Sequence, residues 1–397
     1  MQVEITKLNH NGEGMAQLDG KIIFIKKTIP GDIVELTNIE DHKNFMHANI
    51  KKMIKKSKSR LPIECPYYQS CGGCHLMGLS YEKQLEYKQE KVKNILKKYT
   101  NLEVNPTIKE SAPYHYRNKI TLQVQNGIIG LYEPNSNILV KITKCLLISD
   151  QMNQVIKKLQ TTINLQKVEK IMIREVNHQI MVQLIGQTEE KPLIKELSKT
   201  VTSLYLNDKK LYGLTSLKEQ LGPYKFLISA NSFFQVNHNQ TINLYNQVKK
   251  YLGNNHNHIL DLYCGTGTIG IYVSSCCQKI TGIELNHSSV IDARDNIKIN
   301  HLQNIEILEG DVGKLLQAKN TYDAIIVDPP RSGLDKKTRQ TLLTLKSPKI
   351  IYISCNPMTL ARDLNQLKQL YNLEAISLFD MFPNTYHVEC VCALKLK

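Results

Sequence analysis

Two side chains near the C-terminus have the type and setting for covalent chemistry. Cys355 lies at the end of the apolar run Ile350-Ile-Tyr-Ile-Ser-Cys-Asn-Pro357, which reads as a buried strand stopping at a turn. The spacing predicts a helix over 358–369, whose amide dipoles would lower the thiol pKa and favour the nucleophilic thiolate. The competing reading is a small buried hydrophobe. Position after Asp328-Pro-Pro-Arg-Ser-Gly333 favours chemistry. Glu389, in Asn384-Thr-Tyr-His-Val-Glu389, leads into the last apolar strand, Cys390 to Leu396. A carboxylate there costs free energy unless it is paired or used. His387 is an alternative base, and a third reading gives neither a role. Cys390 and Cys392 read as core, as do Cys276 and Cys277.

A place for a third reactant follows from Ile259-Leu-Asp-Leu-Tyr-Cys-Gly-Thr-Gly-Thr-Ile-Gly270, an apolar strand breaking into glycines and then a helix. Gly265, Gly267 and Gly270 let the backbone approach a nucleotide-like ligand at the helix N-terminus. The next strand, Lys279 to Leu285, carries Glu284 about 20 residues on, where an acid grips ribose hydroxyls. This turn alone fits a dinucleotide enzyme about as well as a methyltransferase. Three details favour S-adenosylmethionine. Asp261 inside the strand end suits a cationic ligand and would repel a pyrophosphate. Gly310-Asp311 follows a third strand, Asn304 to Leu308, and suits an adenine amino group. Asp328 ends a fourth strand in Asp323-Ala-Ile-Ile-Val-Asp-Pro-Pro330.

A second chemical cluster is Cys65-Pro-Tyr-Tyr-Gln-Ser-Cys71-Gly-Gly-Cys74, with Cys145 isolated in Lys144-Cys-Leu-Leu. Gly72 and Gly73 let backbone amides point at sulfur. Four thiolates suit zinc or an iron–sulfur cluster, and free structural cysteines are the bland alternative. Three clustered cysteines with one distant partner fit a four-iron cluster better, but spacing leaves zinc open.

The elements that hold these residues need room, and 397 residues allow two or three domains. Residues 1–58 read as a small OB-like β-barrel, with strands Val3–Ile5, Lys21–Lys26 and Asp32–Leu36 set between glycine turns. Such barrels bind oligonucleotides or serve structure alone. Lys51, Lys52, Lys55, Lys56, Lys58 and Arg60 follow as a phosphate-contacting strip or a solvated linker. Residues 59–230 read as a central α+β domain, opening with an amphipathic helix over 80–100 capped by Ser80. Its lysines and glutamates are placed on the wet face. Tyr114-His-Tyr-Arg-Asn-Lys119 mixes aromatics and cations as RNA contacts do, and as a strand edge can. Residues 231–397 form the α/β nucleotide domain. Phe233 and Phe234, before a helix over 240–251, read as core or as flanks of an exposed amide. A net charge of +15 favours a polyanionic partner. Ten cysteines without a secretion signal exclude a disulfide scaffold, and no apolar run approaches the roughly 18 residues of a membrane span. A cytoplasmic monomer is expected.

Taken together, these motifs resemble the RNA uracil-carbon-5 methyltransferases, the family of the 23S rRNA enzymes and the tRNA T-loop enzyme. The likeness rests on Cys65, Cys71, Cys74, Cys145, Phe-Phe-Gln of 233–235, Asp-Leu-Tyr-Cys-Gly of 261–265, Asp328-Pro-Pro-Arg, Ser354-Cys-Asn-Pro357 and His387-Val-Glu389. It implies a Rossmann-like class I methyltransferase domain, a TRAM-like barrel and a central iron–sulfur domain. By resemblance Cys355 is the nucleophile and Glu389 the base. Gln235, Tyr263, Glu284, Asp328 and, less directly, Asp311 bind S-adenosylmethionine. The four cysteines hold a [4Fe-4S] cluster with a structural or RNA-folding role. Some members of the family lack these cysteines.

The implied chemistry explains the residue types. Carbon 5 of uracil is a poor nucleophile; thiolate addition at carbon 6 makes it an enolate carbon able to attack a methyl group. A base then removes the carbon 5 proton and elimination frees the cysteine. A uridine in folded RNA must first be extruded, costing on the order of a few kcal/mol. The barrel and the cluster favour 23S rRNA, with the tRNA T-loop as alternative. The chain lacks long insertions, which leaves the RNA open. A non-catalytic iron–sulfur RNA-binding or redox protein is opposed by Cys355 and Glu389, and a nicotinamide oxidoreductase by the Asp-Pro-Pro motif.

Overall fold

The computed structural model describes residues 1–100, 106–316 and 321–397. The N-terminal strands are β1 (Gln2–Glu4), β2 (Lys7–Leu8), β3 (Gly14–Leu18), β4 (Lys21–Ile25), β5 (Ile33–Asp41) and β6 (Phe45–Lys55). They form one sheet in the order β1-β5-β6-β4-β3-β2. Alternating apolar residues, among them Ile23, Ile25, Val34 and Met46, turn inward to one small core.

The closed barrel expected from the sequence is not found among the described residues. Residues 2–8 supply both edges of the sheet. At their midpoint Ile5 N donates to Asp32 O and Thr6 N to Met15 O, each at 2.9 Å. The segment changes partner there, so the sheet curls without a continuous ladder.

The basic strip also changes character. Lys51, Lys52 and Lys55 belong to β6, not to a linker. Arg60 is lost to the strip altogether. Its Nε donates to both Asp32 oxygens, at 2.9 and 3.1 Å, and its Nη2 donates to Lys27 O, so the guanidinium is sequestered as a lock.

Next come α1 (Tyr81–Thr100) and β7 (Thr107–Lys109), then β8 (Lys119–Gln125), β9 (Ile128–Tyr132) and β10 (Leu139–Lys141). The chain continues through α2 (Asp150–Thr162), β11 (Lys167–Val176), β12 (Gln179–Gln187), α3 (Glu190–Leu197), β13 (Ser203–Leu206) and β14 (Lys209–Gly213). Strands β8 to β14 make a seven-stranded sheet, ordered β10-β9-β8-β11-β12-β13-β14. One face packs on α2 and α3 through Leu122, Ile171, Val182, Ile156 and Leu193. Met172, Val176 and Met181 instead enter the C-terminal core, together with the hairpin β15 (Ser216–Leu221) and β16 (Tyr224–Ser229).

The C-terminal part alternates α4 (His238–Leu252), β17 (His256–Leu262), α5 (Thr268–Tyr272), β18 (Cys277–Glu284), α6 (His287–Ile299), β19 (Ile305–Glu309) and α7 (Val312–Leu315). It ends with β20 (Ala324–Val327), α8 (Lys336–Leu345), β21 (Lys349–Ser354), α9 (Pro357–Leu367), β22 (Tyr371–Phe379) and β23 (Glu389–Leu396). Strands such as Ala324-Ile-Ile-Val327 are buried throughout because helices cover both faces. The sheet order is β19-β18-β17-β20-β21-β23-β22-β7, with β23 antiparallel to both neighbours. The order reverses between β17 and β20, so the ligand crevice belongs at their carboxyl ends.

The expected helix over 80–100 forms, and Lys83 N donates to Ser80 Oγ at 3.4 Å. Its partners were not expected. Val92, Ile95 and Leu96 share a core with Leu260, Ile325 and Leu360, and β7 pairs with β22. Both elements therefore serve the C-terminal sheet, although they precede the expected boundary at 230. No helix among the described residues is long and apolar enough to cross a membrane.

Candidate active site

Strand register brings the two predicted reactive residues together. The β21–β23 ladder ends with Ser354 paired to Cys390, so Cys355 leaves β21 where β23 begins at Glu389, and the Glu389 carboxyl acts on the thiol. Glu389 is only 5% exposed. Burial, then the nearby Asp328 carboxyl, push its pKa up to about 8, with Arg331 acting the other way. Burial pushes Asp328 to about 7.

The thiol behaves differently from the sequence expectation. The helix expected over 358–369 forms as α9 (Pro357–Leu367), and Asn356 caps it, accepting from Met358 N at 3.1 Å. Yet burial, with Glu389 and Asp328, pushes Cys355 up to about 12, and Arg331 opposes this only in part. Desolvation outweighs the helix terminus. His387 is neutral: burial, then Arg331, hold it down at about 3, and its Nδ1 meets Arg331 Nη2 at 3.2 Å. A proton acceptor held that low is a weaker base than Glu389.

The crevice beside this pair is built by the glycine turn. Tyr263, Gly265 and Gly267 all have positive φ (60°, 54° and 75°), a cost the tyrosine bears at a functional turn. The Tyr263 hydroxyl bonds to Thr338. Gly265 N donates to Glu284 Oε2 at 2.9 Å and Asn286 N to Oε1 at 2.7 Å, which aims the Glu284 carboxylate at the turn. Asp261 is buried, with Oδ2 accepting from Gly270 N at 3.1 Å and Oδ1 without a partner. Burial, then Asp328, push it up to about 8. An orphaned buried carboxyl oxygen is what a cationic or amine-bearing ligand would satisfy. Asp311 is exposed at the start of α7, and its side chain makes no capping bond. Gln235 is tied to the central sheet region through its carbonyl, which accepts from Asn118 Nδ2 at 3.0 Å. No contact joins its side chain to the acids among the described residues. Tyr245, which the sequence did not single out, bonds Thr268 at 2.8 Å and lies within the electrostatic reach of Asp328, Asp261 and Glu389.

Cys65, Cys71, Cys74 and Cys145 line one cavity of about 360 Å³ with Met77 and Phe233. Gly73 N donates to Cys71 Sγ at 3.3 Å, as the paired glycines suggested. Burial pushes the Cys71, Cys74 and Cys145 thiols up, and Cys74 senses the other three sulfurs. A cationic centre bound among these sulfurs would favour their thiolate forms and offset the desolvation that raises them. Among the described residues no three or more His, Cys, Asp or Glu side chains are grouped for a single metal ion. Phe233 is 64% exposed at this cavity while Phe234 is buried, so core packing accounts for one of the two. Within the Tyr114–Lys119 run, Tyr116 donates to Pro383 O at 3.2 Å, and Arg117 and Lys119 line the cysteine cavity. Cys276, Cys390 and Cys392 are core; Cys277 is half-exposed.

A buried network absent from the sequence reading fixes the Asp328-Pro-Pro-Arg loop. Asp363, fully buried, accepts from Tyr352 OH at 2.7 Å, Leu334 N at 2.9 Å and Arg339 Nη1 at 3.0 Å. Arg331 O receives Asn356 Nδ2 at 3.0 Å, bolting that loop beside Cys355. Asp363→Ala would take the buried carboxylate from Arg339 and leave the Tyr352 hydroxyl without its acceptor, and we expect a loss of about 3–5 kcal/mol in urea unfolding. A loss under about 1 kcal/mol would mean that the loop is held by other contacts.

A doubly wound sheet with acids at its central strand ends and a glycine turn between them defines an S-adenosylmethionine-dependent methyltransferase domain. Comparison with known proteins specifies it further. Residues 165–397 match the model of the tRNA (uracil-5-)-methyltransferase family, and residues 1–51 match the TRAM domain. An uncharacterized RNA methyltransferase of Bacillus anthracis is 34% identical, over 100% of this chain and 96% of that protein. One from Staphylococcus aureus is 33% identical, over 99% and 97%. Among solved structures, the Pyrococcus abyssi tRNA (uracil-54, C5)-methyltransferase with S-adenosyl-L-homocysteine superimposes with a TM-score of 0.82 at 27% identity, covering 99% of this chain and 100% of that one. The chain belongs to the tRNA (uracil-5-)-methyltransferase family and is an S-adenosylmethionine-dependent RNA uracil-C5 methyltransferase.

Proposed function

We propose that this enzyme methylates carbon 5 of a uridine in 23S rRNA, with Cys355 as nucleophile and Glu389 as general base. The observation that carries this reading is that Cys355, at the end of β21, lies within the electrostatic reach of the buried Glu389 and of Asp328 in the acid-lined crevice. Bound S-adenosylmethionine would supply the electrophilic methyl group. Glu284 would hold its ribose, Asp311 its adenine amino group, and Asp261, Asp328, Tyr263 and Gln235 its remaining polar groups. Cys355 would lose its proton to solvent as the sulfur adds to carbon 6 of the flipped uracil, with Arg331 favouring the thiolate against the surrounding acids, and carbon 5 of the resulting enolate would take the methyl group from the cofactor's sulfonium sulfur. Glu389, once ionised, would remove the carbon 5 proton, and breaking the carbon 6–sulfur bond would return Cys355.

The TRAM domain and a net charge of +15 support a large RNA partner. For the cysteine cavity we propose a [4Fe-4S] cluster, which spreads its ligands further than zinc–sulfur bonds of about 2.3 Å allow. It would order the cysteine loop and take no part in methyl transfer. A second substrate reading, the tRNA T-loop, is favoured by the Pyrococcus structure, whose own substrate is a tRNA uracil. Methyl transfer to purified transcripts of 23S rRNA segments and of tRNA separates the two. Label entering 23S segments is expected, and label confined to tRNA would transfer the assignment.

Cofactor affinity should depend on pH with a definite sign. Burial holds Asp261 near 8 and Asp328 near 7, so both carry protons in the free protein at pH 6. A cationic ligand favours their ionised forms, so binding releases those protons. Affinity therefore rises with pH, by up to about tenfold per unit for each proton released, and levels off above about pH 8. Calorimetry in buffers of different ionisation enthalpy reads the proton release directly. Affinity flat from pH 6 to 9 would exclude both acids from the cofactor site.

A further inference from the structure

We propose that Asn384 is the joint through which the four-cysteine loop sets the position of Glu389. The inference rests on the assignment of Glu389 as base and extends it to what holds that base in place.

Residues 380–388 run without regular structure between β22 and β23, and β23 opens on Glu389. Such a segment must be fixed from outside. Asn384 sits at its middle, 2% exposed and with φ of 65°, and three other parts of the chain converge on it. His75 N and Leu76 N, directly after Cys74, both donate to Asn384 O, at 2.8 and 3.0 Å. Asn384 N donates to Gln84 Oε1 at 2.8 Å, and Gln84 Nε2 returns a bond to Asn384 Oδ1 at 3.1 Å. Asn384 Nδ2 donates to Pro113 O at 2.6 Å. Every polar group of this buried residue is used, and two of its bonds come from the cysteine loop.

The loop end of the joint is the backbone that carries Cys71 and Cys74. Lys27 Nζ donates to Cys71 O at 3.0 Å and to Cys74 O. Tyr68 OH donates to His75 O at 2.6 Å. A change in where Cys71 and Cys74 sit therefore moves the His75 and Leu76 amides. The base end depends on Asn384. Tyr386, two residues on, meets the His75 ring edge-on at 4.6 Å, and its own ring lies 4.2 Å from that of His387. Lys91 Nζ donates to Tyr386 O at 2.8 Å. Glu389 follows directly on this pinned run. A group held by the cysteines would thus act on methyl transfer by geometry, without exchanging electrons in it.

The test is amide hydrogen exchange on the holoprotein without RNA, before and after its metal is stripped by oxidation and chelation. Stripping should raise exchange across 384–389, not only across 65–76. Asn384→Gly keeps the positive φ but loses the side-chain bonds. It should show raised exchange with metal bound, and stripping should add little. Its kcat should fall about 100-fold, as for a misplaced catalytic group, with KM for RNA and cofactor within about threefold. Gln84→Met removes both Gln84–Asn384 bonds from the helix side, one of them shared with Asn384→Gly, and should reproduce that split; it decides the matter if Asn384→Gly does not fold. Unchanged exchange across 384–389 on stripping, additive effects of stripping and substitution, or purified protein without metal on its cysteines would each overturn the proposal. Full turnover by Glu389→Gln would instead remove the assignment of the base and leave the exchange result standing.

Discussion

Cys355→Ala should reduce methyl transfer by on the order of 10⁵–10⁶-fold, the scale on which removal of a covalent nucleophile is felt. Cofactor affinity should stay within about twofold, because the crevice acids lie on other strands. Thermal stability should change little, since Cys355 is half-exposed at a turn. The reason the thiol cannot be spared lies in its surroundings. Burial and two carboxyls push it up to about 12, so the free enzyme holds a thiol and the proton must leave as the sulfur attacks. Cys355→Ser should fail as well, because a hydroxyl is a far weaker acid than a thiol in the same site. Single-turnover transfer beside calorimetry of cofactor binding reads both quantities. Residual activity within tenfold of the native enzyme would mean that another group attacks the uracil.

Glu389→Gln should lower turnover about 10²–10⁴-fold, the usual contribution of a positioned base. It should also leave a covalent protein–RNA adduct that survives a denaturing gel. Glutamine keeps the side-chain shape but cannot take the carbon 5 proton, so addition and methyl transfer proceed and elimination does not. The native enzyme carries its own pH signature of the same group. Glu389 is held near 8, so it is protonated at pH 6 and ionised at pH 9, and turnover should rise through that window. Loss of activity without any adduct would place Glu389 before the addition step.

What the sequence made legible was local. Buried parallel strands are continuous apolar runs, and the turns after them carry glycine, so β17 to β21 and the residues at their ends could be placed from composition alone. Cys65, Cys71 and Cys74 could be grouped because three thiols on one glycine-rich loop suit ligation better than packing. What failed depended on partners far away in the chain. Lys88 and Lys91 look like the wet face of α1. Lys88 is instead fully buried against Asp380, 2.5 Å away and 292 residues later. Burial, then Lys88, hold Lys91 down at about 7. The thiol pKa was misjudged for a related reason: a helix N-terminus is visible in sequence, whereas desolvation in the folded site is not. Tyr116 shows the limit of composition. An aromatic among cations suggested an RNA contact, yet its hydroxyl holds Pro383, next to Asn384.

The most direct measurement is mass spectrometry of 5-methyluridine at each position of rRNA and tRNA, in cells lacking this protein and in cells complemented with native enzyme or Cys355→Ala. The account predicts loss from 23S rRNA, restored by the native enzyme and not by Cys355→Ala. Loss confined to the tRNA T-loop would keep the chemistry and change the RNA. Unchanged 5-methyluridine everywhere, or full restoration by Cys355→Ala, would contradict it.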